Sequence, residues 1–151
     1  MVIRPSLPQD AEAIALLSSQ LGYPVSASQV AALQVSLLRH PDHLVLVAED
    51  EEGKVRGWVH VFISRRVFVL PFAELGGIVV EQAQRRSGIG SAMLARAEQW
   101  ASEAGCSIFR IRSNTRRLDA DRFYRAAGYE LSKTQSVFEK TLARVSHSGG
   151  V

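Results

Sequence analysis

The sequence predicts a mixed α/β domain, of the α+β type, with helices on both faces of a mostly antiparallel sheet. Its 151 residues match the length of one domain. Apolar runs typical of strands occupy residues 43–49, 55–63 and 72–80 and are interspersed with stretches of helical period. The first two runs flank a short acidic turn ending in Gly53, which predicts a hairpin. Strands mixed with helices in this way predict a mixed sheet covered on both sides.

The first forty residues are predicted to hold one short strand and two helices. The strand covers residues 2–4, and the first helix covers residues 10–21, with apolar residues on one side. The second helix begins at Ser26 or Ser28, since either hydroxyl could cap it, and ends before Pro41.

The strand over residues 72–80 carries two glycines in its middle, Gly76 and Gly77. Glycine weakens a strand, and it often marks a bulge or a place where a ligand comes close to the backbone. A long helix follows over residues 88–104, because apolar residues recur there at every third or fourth position until Gly105 ends the pattern.

The last part of the chain is predicted to add a strand over 107–112, a helix over 118–127 and a final strand at 137–138. Residues 1–142 would then form a single domain. Residues 143–151 are small and polar and are expected to be a disordered tail.

The composition excludes several classes of protein. Cys106 is the only cysteine, so the chain can form neither an intrachain disulfide nor a cysteine zinc site. The four histidines lack the spacing of a metal-binding pair, and no metal is expected. No apolar run approaches the 18 or so residues that span a bilayer, and no secretion signal is recognised. A cytoplasmic protein without membrane contact is expected.

The charge of the chain is unevenly distributed. Residues 85–125 carry nine arginines and four acidic residues, a net charge of +5, whereas the remainder of the chain sums to −2. One surface could therefore meet a polyanion, either a nucleotide cofactor or a nucleic acid. A solvated basic face without a partner is the other interpretation.

The most specific segment is the loop Arg-Arg-Ser-Gly-Ile-Gly at residues 85–90, which leads into the long helix. Free amides and the helix dipole make such a helix start a ready anion site. A dinucleotide fingerprint would need glycine where the chain has Met93, and a nucleotide-triphosphate loop would need a lysine. The loop fits the pattern Arg/Gln-x-x-Gly-x-Gly/Ala. A plain strand–helix turn is the alternative.

This pattern and the helix after it resemble the pyrophosphate-binding motif of the GNAT superfamily of acyl-CoA-dependent N-acetyltransferases. Two later features are similar to the same family. Asn114 follows the next strand, and the helix bearing Phe123 and Tyr124 continues into Gly128-Tyr129. The resemblance covers nearly the whole chain, up to Leu142.

The resemblance implies an N-acetyltransferase that moves an acetyl group from acetyl-CoA to a primary amine, by direct attack in a ternary complex. It also implies a sheet in which the bulged strand is splayed from its neighbour. The residues implied in acetyl-CoA binding are Ile78, Val79 and Val80 for the pantetheine arm, the loop residues Arg85, Arg86, Ser87, Gly88, Ile89, Gly90 and Ser91 for the pyrophosphate, and Asn114 and Tyr124.

Tyr124 and Glu74 are the implied catalytic residues. Tyr124 matches the family position of the general acid, where a phenol donates a proton to the leaving thiolate. A packing tyrosine is the alternative for Tyr124, and a turn asparagine for Asn114. Glu74 would act as base or bind the substrate ammonium, and simple alternation places it on the same face as Ile78 and Val80.

The acceptor is left open. Residues 10–40 and the loop 65–71 are expected to form its site, where Glu49 and Glu74 favour a cation while the pair Arg65 and Arg66 favours an acidic group. A CoA-binding sensor without turnover is the alternative function. No nucleic-acid partner is expected, because no aromatic platform accompanies the arginines. A homodimer is an expectation from the family only.

Overall fold

The computed structural model describes residues 1–143, which fall into two compact units, residues 1–114 and a second beginning at Thr115. From residue 144 onward, the tail expected over 143–151 lies outside the described residues.

The first unit is built on a five-stranded sheet with strand order β1-β2-β3-β4-β5. The strands are β1 (Val2–Pro5), β2 (His43–Glu49), β3 (Val55–Arg66), β4 (Val69–Val80) and β5 (Phe109–Arg110). β1 to β4 pair antiparallel, and β5 pairs parallel with β4. The sheet is therefore mixed and mostly antiparallel, and the predicted fold class is confirmed.

Helices lie on both faces of this sheet. They are α1 (Ala11–Gln20), α2 (Ala27–Leu37) and α3 (Ile89–Glu103). The second unit contains its own helix, α4 (Leu118–Ala126). Met93 and Ala97 of α3 are completely buried with Val59 and Val61 of β3 on one face. The opposite face buries the apolar side of α1 and α2 against β2 and the end of β4; its residues include Ile14, Leu17, Val30, Val47 and Val79.

Local capping explains where the first helices begin. Ser26 is the cap of α2: its hydroxyl accepts a hydrogen bond from the Gln29 amide at 3.1 Å, and Gln29 Oε1 accepts one from the Ser26 amide at 2.9 Å. Asp10 precedes α1, is only 4% exposed, and accepts bonds from Arg4 and from the amide of Leu7. These contacts tie β1 to the start of α1.

Two predicted features are wrong in detail. Residues 65–71 were expected to form a loop, but β3 continues to Arg66 and β4 starts at Val69, so only a tight turn separates them. The β-branched and aromatic residues of this segment favour the strand state. The strand expected at 137–138 is absent: the second unit, as far as residue 143, holds no other strand that could pair with it.

Candidate functional site

A bulge interrupts β4 where the sequence has its two adjacent glycines. His60 of β3 pairs with Gly77, whereas Val61 pairs with Leu75, so Gly76 is an extra residue. A β-carbon on Gly76 would overlap the His60 ring, and one on Gly77 would lie 2.7 Å from Cη2 of Trp58. Glycine is required at both positions because two rings of β3 occupy the space above them.

The bulge also changes which side chains of β4 share a face. Ala73 and Leu75 contact the core beneath α3, and beyond the bulge the residues that do so are Ile78 and Val80. Glu74 therefore points to the opposite face, where α1 and α2 lie. The expectation that Glu74 shares a face with Ile78 and Val80 is wrong, since a residue inserted between them inverts the alternation.

Part of β4 has an open edge. β5 pairs with β4 only at Ala73 and Glu74, and within residues 1–114 no strand continues on that side. The Glu81 amide donates to Arg56 O at 2.7 Å, and hydrogen-bonded residues alternate in an antiparallel pair. The backbone groups of Val79 consequently face β3, whereas those of Ile78 and Val80 face the open edge.

The loop that follows β4 ends at the start of α3. Arg86 and Gly88 both have left-handed backbone, with φ of 65° and 86°. The Ser87 hydroxyl donates to Gln84 O, which closes the turn. The first amide that bonds back to Gly88 O is that of Ala92, at 3.0 Å, and no side chain caps the helix. The amides of residues 88–91 are therefore left for an external acceptor.

The surroundings of this helix start fit an anionic group. A β-carbon on Gly88 would meet no atom within 4 Å, so the backbone here is open to an approaching ligand. The side chains of Arg85 and Arg86 are exposed beside it. Positive charge, free amides and the helix dipole together suit a pyrophosphate.

On the α1 and α2 face of the sheet, Glu74 is held by an arginine. Arg112 Nε donates to Glu74 Oε1 at 2.7 Å, and Glu74 is only 8% exposed. The bond leaves Oε2 as the oxygen that could meet a substrate. The sequence alone did not indicate this pairing, although Arg110 and Arg112 alternate along the same stretch of chain.

A pair of histidines lies next to the bulge on the same face. His43 Nδ1 and His60 Nε2 are 3.0 Å apart, so one ring nitrogen donates to the other. Burial, with a smaller contribution from His43, lowers the pKa of His60 to about 4. His60 is therefore neutral at physiological pH, as expected for a residue that packs against the bulge or lines the acceptor site.

The remaining predicted residues are Asn114 and Tyr124. Asn114 is exposed and ends the first unit. Tyr124 lies in α4 of the second unit, is half-buried, and contacts the rings of Phe123 and Tyr129 edge-on, with centroids 5.4 and 6.2 Å away. The predicted helix around it is present and ends at Ala126.

Two features are absent from residues 1–143. No three His, Cys, Asp or Glu side chains converge closely enough to hold a metal ion. None of the helices in this part of the chain is long and apolar enough to cross a bilayer.

A mixed sheet with a bulged strand, followed by a glycine-rich loop and an uncapped helix, is the arrangement that the resemblance to acyl-CoA-dependent N-acetyltransferases implies. The model of the Acetyltransferase (GNAT) family matches residues 11–129, and the chain belongs to this family.

The chain is also similar to three individual proteins. It is 27% identical over 111 residues to an aminoglycoside N(6')-acetyltransferase of Serratia marcescens, covering 70% of this chain and 75% of the relative. It is 41% identical over 59 residues to an aminoalkylphosphonate N-acetyltransferase of Salmonella typhimurium, covering 39% and 38%. A solved aminoglycoside N-acetyltransferase in complex with CoA superposes with a TM-score of 0.80 at 19% identity, covering 93% of this chain and 100% of that one.

Proposed function

We propose that this protein is an N-acetyltransferase that transfers the acetyl group of acetyl-CoA to a primary amine, by direct attack in a ternary complex. The observation that carries the proposal is the uncapped start of α3 at Gly88, placed directly after a strand with an open edge. These are the two binding elements that a pyrophosphate joined to a peptide-like arm requires. Membership of the acetyltransferase family and the CoA complex of a similar fold support acetyl-CoA as cosubstrate.

The loop and β4 would hold acetyl-CoA through their backbone. The amides of Gly88, Ile89, Gly90 and Ser91 would bind the pyrophosphate, with exposed Arg85 and Arg86 adding charge and Ser87 closing the turn. Ile78 and Val80 would pair with the amides of the pantetheine arm, since their backbone groups face the open edge. Val79 is 4% exposed and turns its backbone to β3, so its part is to hold the strand in place.

Tyr124 would supply the proton to the departing thiolate. When the amine nitrogen forms its bond to the acetyl carbonyl carbon, the carbon–sulfur bond breaks and the electron pair stays on sulfur. A phenol, with an ordinary pKa near 10, can donate a hydrogen bond and then its proton as that charge develops. Asn114 would bind the pantetheine arm.

Glu74 would act on the amine from the α1 and α2 face of β4, opposite the face that carries the side chains of Ile78 and Val80. An ammonium cannot attack, so the substrate must lose a proton. Arg112 fixes Oε1 of Glu74 and thereby orients Oε2, which would accept that proton directly or through a water molecule. An acceptor entering on this side would approach the acetyl group beside the rings of His60 and Trp58, which cover the bulge.

The chemical class of the acceptor is a primary amine. The relatives named above act on aminoglycosides and on aminoalkylphosphonates, which share an amino group and differ in charge. A homodimer and a cytoplasmic location stay predictions.

Calorimetric titration with acetyl-CoA, with ATP and NAD as controls, is the first test. We expect micromolar binding of acetyl-CoA, about −8 kcal/mol, and no binding of either control. Release of CoA thiol in the presence of primary amines would then establish turnover. Binding without thiol release for any amine would support the alternative of a CoA-binding sensor. A folded protein that does not bind acetyl-CoA would refute the proposal.

A further inference from the structure

Two arginines contact the ring of Phe72 on the face of the sheet that carries Glu74. The guanidinium carbon of Arg110 lies 4.2 Å from the ring centroid, and that of Arg66 lies 5.3 Å from it. Phe72 itself is 4% exposed. Stacking on an aromatic ring holds a guanidinium in place while leaving its N–H edges free for a planar or tetrahedral anion.

These two arginines have no carboxylate partner among residues 1–143, in contrast to their neighbours. Arg65, adjacent in sequence, is bound to Asp42 at 2.8 Å, and Arg112 is bound to Glu74. Within the described residues, the contact of the Arg110 and Arg66 guanidinium groups is with the ring of Phe72. Their charge is therefore available to a ligand.

The acidic residues that could have favoured a polycationic acceptor are each held by an arginine, which reduces the net negative charge of the site. Glu49 is bound to Arg4 at 2.6 Å, and Glu74 to Arg112 at 2.7 Å. The sequence left the charge of the acceptor undecided because Glu49 and Glu74 opposed Arg65 and Arg66. In the folded chain Glu49, Glu74 and Arg65 each form an ion pair. Among residues 1–143, Arg66 and Arg110 have no carboxylate to balance their positive charge.

The arginine pair lies close to the proposed proton acceptor on the same face of the sheet. Phe72 and Glu74 are consecutive residues on one face of β4, which corresponds to about 7 Å along the strand. Arg110 is the residue of β5 that pairs with Glu74. A ligand whose anion meets the arginines and whose amine meets Glu74 needs these two groups to be several bonds apart.

We propose that the acceptor is a primary amine carrying a carboxylate or phosphonate several bonds from its nitrogen, with Arg66 and Arg110 binding the anionic group. This inference rests on the proposed acetyltransferase function and adds to it the charge and length of the substrate. It predicts that a polycationic aminoglycoside is a poor acceptor, because two unpaired guanidinium groups would repel it.

The test compares pairs of acceptors that differ in the anionic group, and it adds kanamycin as a polycationic acceptor. Thiol release is measured with 6-aminohexanoate against n-hexylamine, with 4-aminobutyrate against n-butylamine, and with 4-aminobutylphosphonate and kanamycin. We expect kcat/KM for 6-aminohexanoate to exceed that for n-hexylamine by about tenfold or more, as charge-assisted hydrogen bonds warrant. Comparison of 4-aminobutylphosphonate with the two amino carboxylates shows which of the two anionic groups the site prefers.

Arginine variants show which residues cause the preference for the anionic acceptor. Arg110→Gln and, separately, Arg66→Gln should each lower the ratio of kcat/KM between 6-aminohexanoate and n-hexylamine, mainly through KM. Arg65→Gln removes an arginine that is already paired with Asp42 and should leave the ratio in place. Titration with acetyl-CoA checks that each variant is folded.

The outcomes separate this inference from the proposed function. Equal rates for each acid and its alkylamine, or faster turnover of kanamycin, would refute the inference while leaving the acetyltransferase in place. An unchanged ratio in both arginine variants would refute the assigned residues. Acetyl-CoA binding without turnover of any acceptor would contradict the proposed function, and with it this inference.

Discussion

The imidazole of His60 occupies the space in which a side chain at Gly76 would have to lie. The backbone of Gly76 is not in the left-handed region, so its conformation alone does not require glycine. Its lack of a β-carbon is instead what allows the ring of β3 to cover the bulge of β4. The same relation holds one residue further along, between Gly77 and the indole of Trp58.

Gly76→Ala should therefore destabilise the protein by about 1–3 kcal/mol, through overpacking against His60. Urea unfolding of the single and double variants measures this cost. In a protein that already carries His60→Ala, the ring is gone, and Gly76→Ala should cost much less stability than it does in the wild type, because the two changes share one contact.

The matched control is Gly77→Ala, whose β-carbon meets Trp58. His60→Ala should not rescue this variant. If His60→Ala rescued Gly76→Ala and Gly77→Ala equally, it would be relaxing the strand in general. The contact between His60 and residue 76 would then be unimportant.

The bulge also shows why some features were not predictable from the sequence. Adjacent glycines indicate a bulge, and the bulge is present. Which neighbouring side chains share a face depends on the position of the extra residue. That position is set by pairing with β3, a contact between residues far apart in the chain, such as His60 and Gly77, which are 17 residues apart. Alternation counted along one strand consequently assigned Glu74 to the wrong face.

Local signals predicted most of the fold because they act within a few residues. The helical period of α3, the cap at Ser26 and the glycine-rich loop at 85–90 all occur where expected. Ion pairs could not be predicted in this way. The partners of Glu74 and Glu49 lie 38 and 45 residues away in the chain, so their neutralisation emerges only when the sheet assembles.

The low pKa of His60 should make stability depend on pH. An unfolded histidine titrates near 6.5, whereas burial, together with His43, holds the folded pKa of His60 at about 4. Between these values the unfolded chain binds the extra proton, so the free energy of unfolding should fall as the pH drops from 6.5 towards 4.

Chemical denaturation at several pH values measures this slope, and NMR titration of the His60 ring measures its pKa directly. His60→Gln should flatten the slope across that window. A His60 ring that titrates near 6.5 in the folded protein would contradict the environment described for it.

Gly88→Val should abolish acetyl-CoA binding in a folded protein. The substitution places a branched side chain over the amides of the α3 start, in space that is empty in the free protein. Valine at a φ of 86° also costs about 1–2 kcal/mol of stability, which must be separated from the effect on binding.

Gly53→Val provides that separation. Gly53 has a φ of 81°, lies in the turn between β2 and β3, and has equally open space around it. Both variants should lose similar stability in urea unfolding, while only Gly88→Val loses binding in calorimetric titration. Wild-type affinity in Gly88→Val would remove the pyrophosphate from this loop.

Tyr124→Phe should lower kcat by about 100-fold or more, the usual contribution of a general acid, with little change in acetyl-CoA affinity. Tyr129→Phe removes the hydroxyl of a ring that contacts Tyr124 in the same unit, and it should retain most of the rate. Thiol-release kinetics over a range of pH compare the two variants. An unchanged kcat for Tyr124→Phe at every pH would exclude the phenol from the mechanism.

Asp10→Asn should cost about 3 kcal/mol of stability, because it leaves the guanidinium of Arg4 without its main partner at the junction of β1 and α1. Asp10 accepts from Arg4 at 2.8 and 3.0 Å and from the Leu7 amide at 2.7 Å. Asp121→Asn is the matched control: its partner Arg125 lies one turn away on α4, and both side chains are more than half exposed. An exposed pair of this kind contributes about 0.3–0.5 kcal/mol.

Acid should narrow the difference between Asp10→Asn and the wild type. Burial raises the pKa of Asp10, but the hydrogen bonds from Arg4 and Leu7, together with the charge of Arg4, outweigh it, so the pKa lies below its ordinary value of 3.8. The stabilisation is therefore complete above pH 3.8 and is lost as the pH falls through the lower, folded value. Urea unfolding at pH 7 and near pH 3 measures both differences. A gap that stays constant into acid would mean that the Asp10 charge contributes nothing and that the variant acts through packing alone.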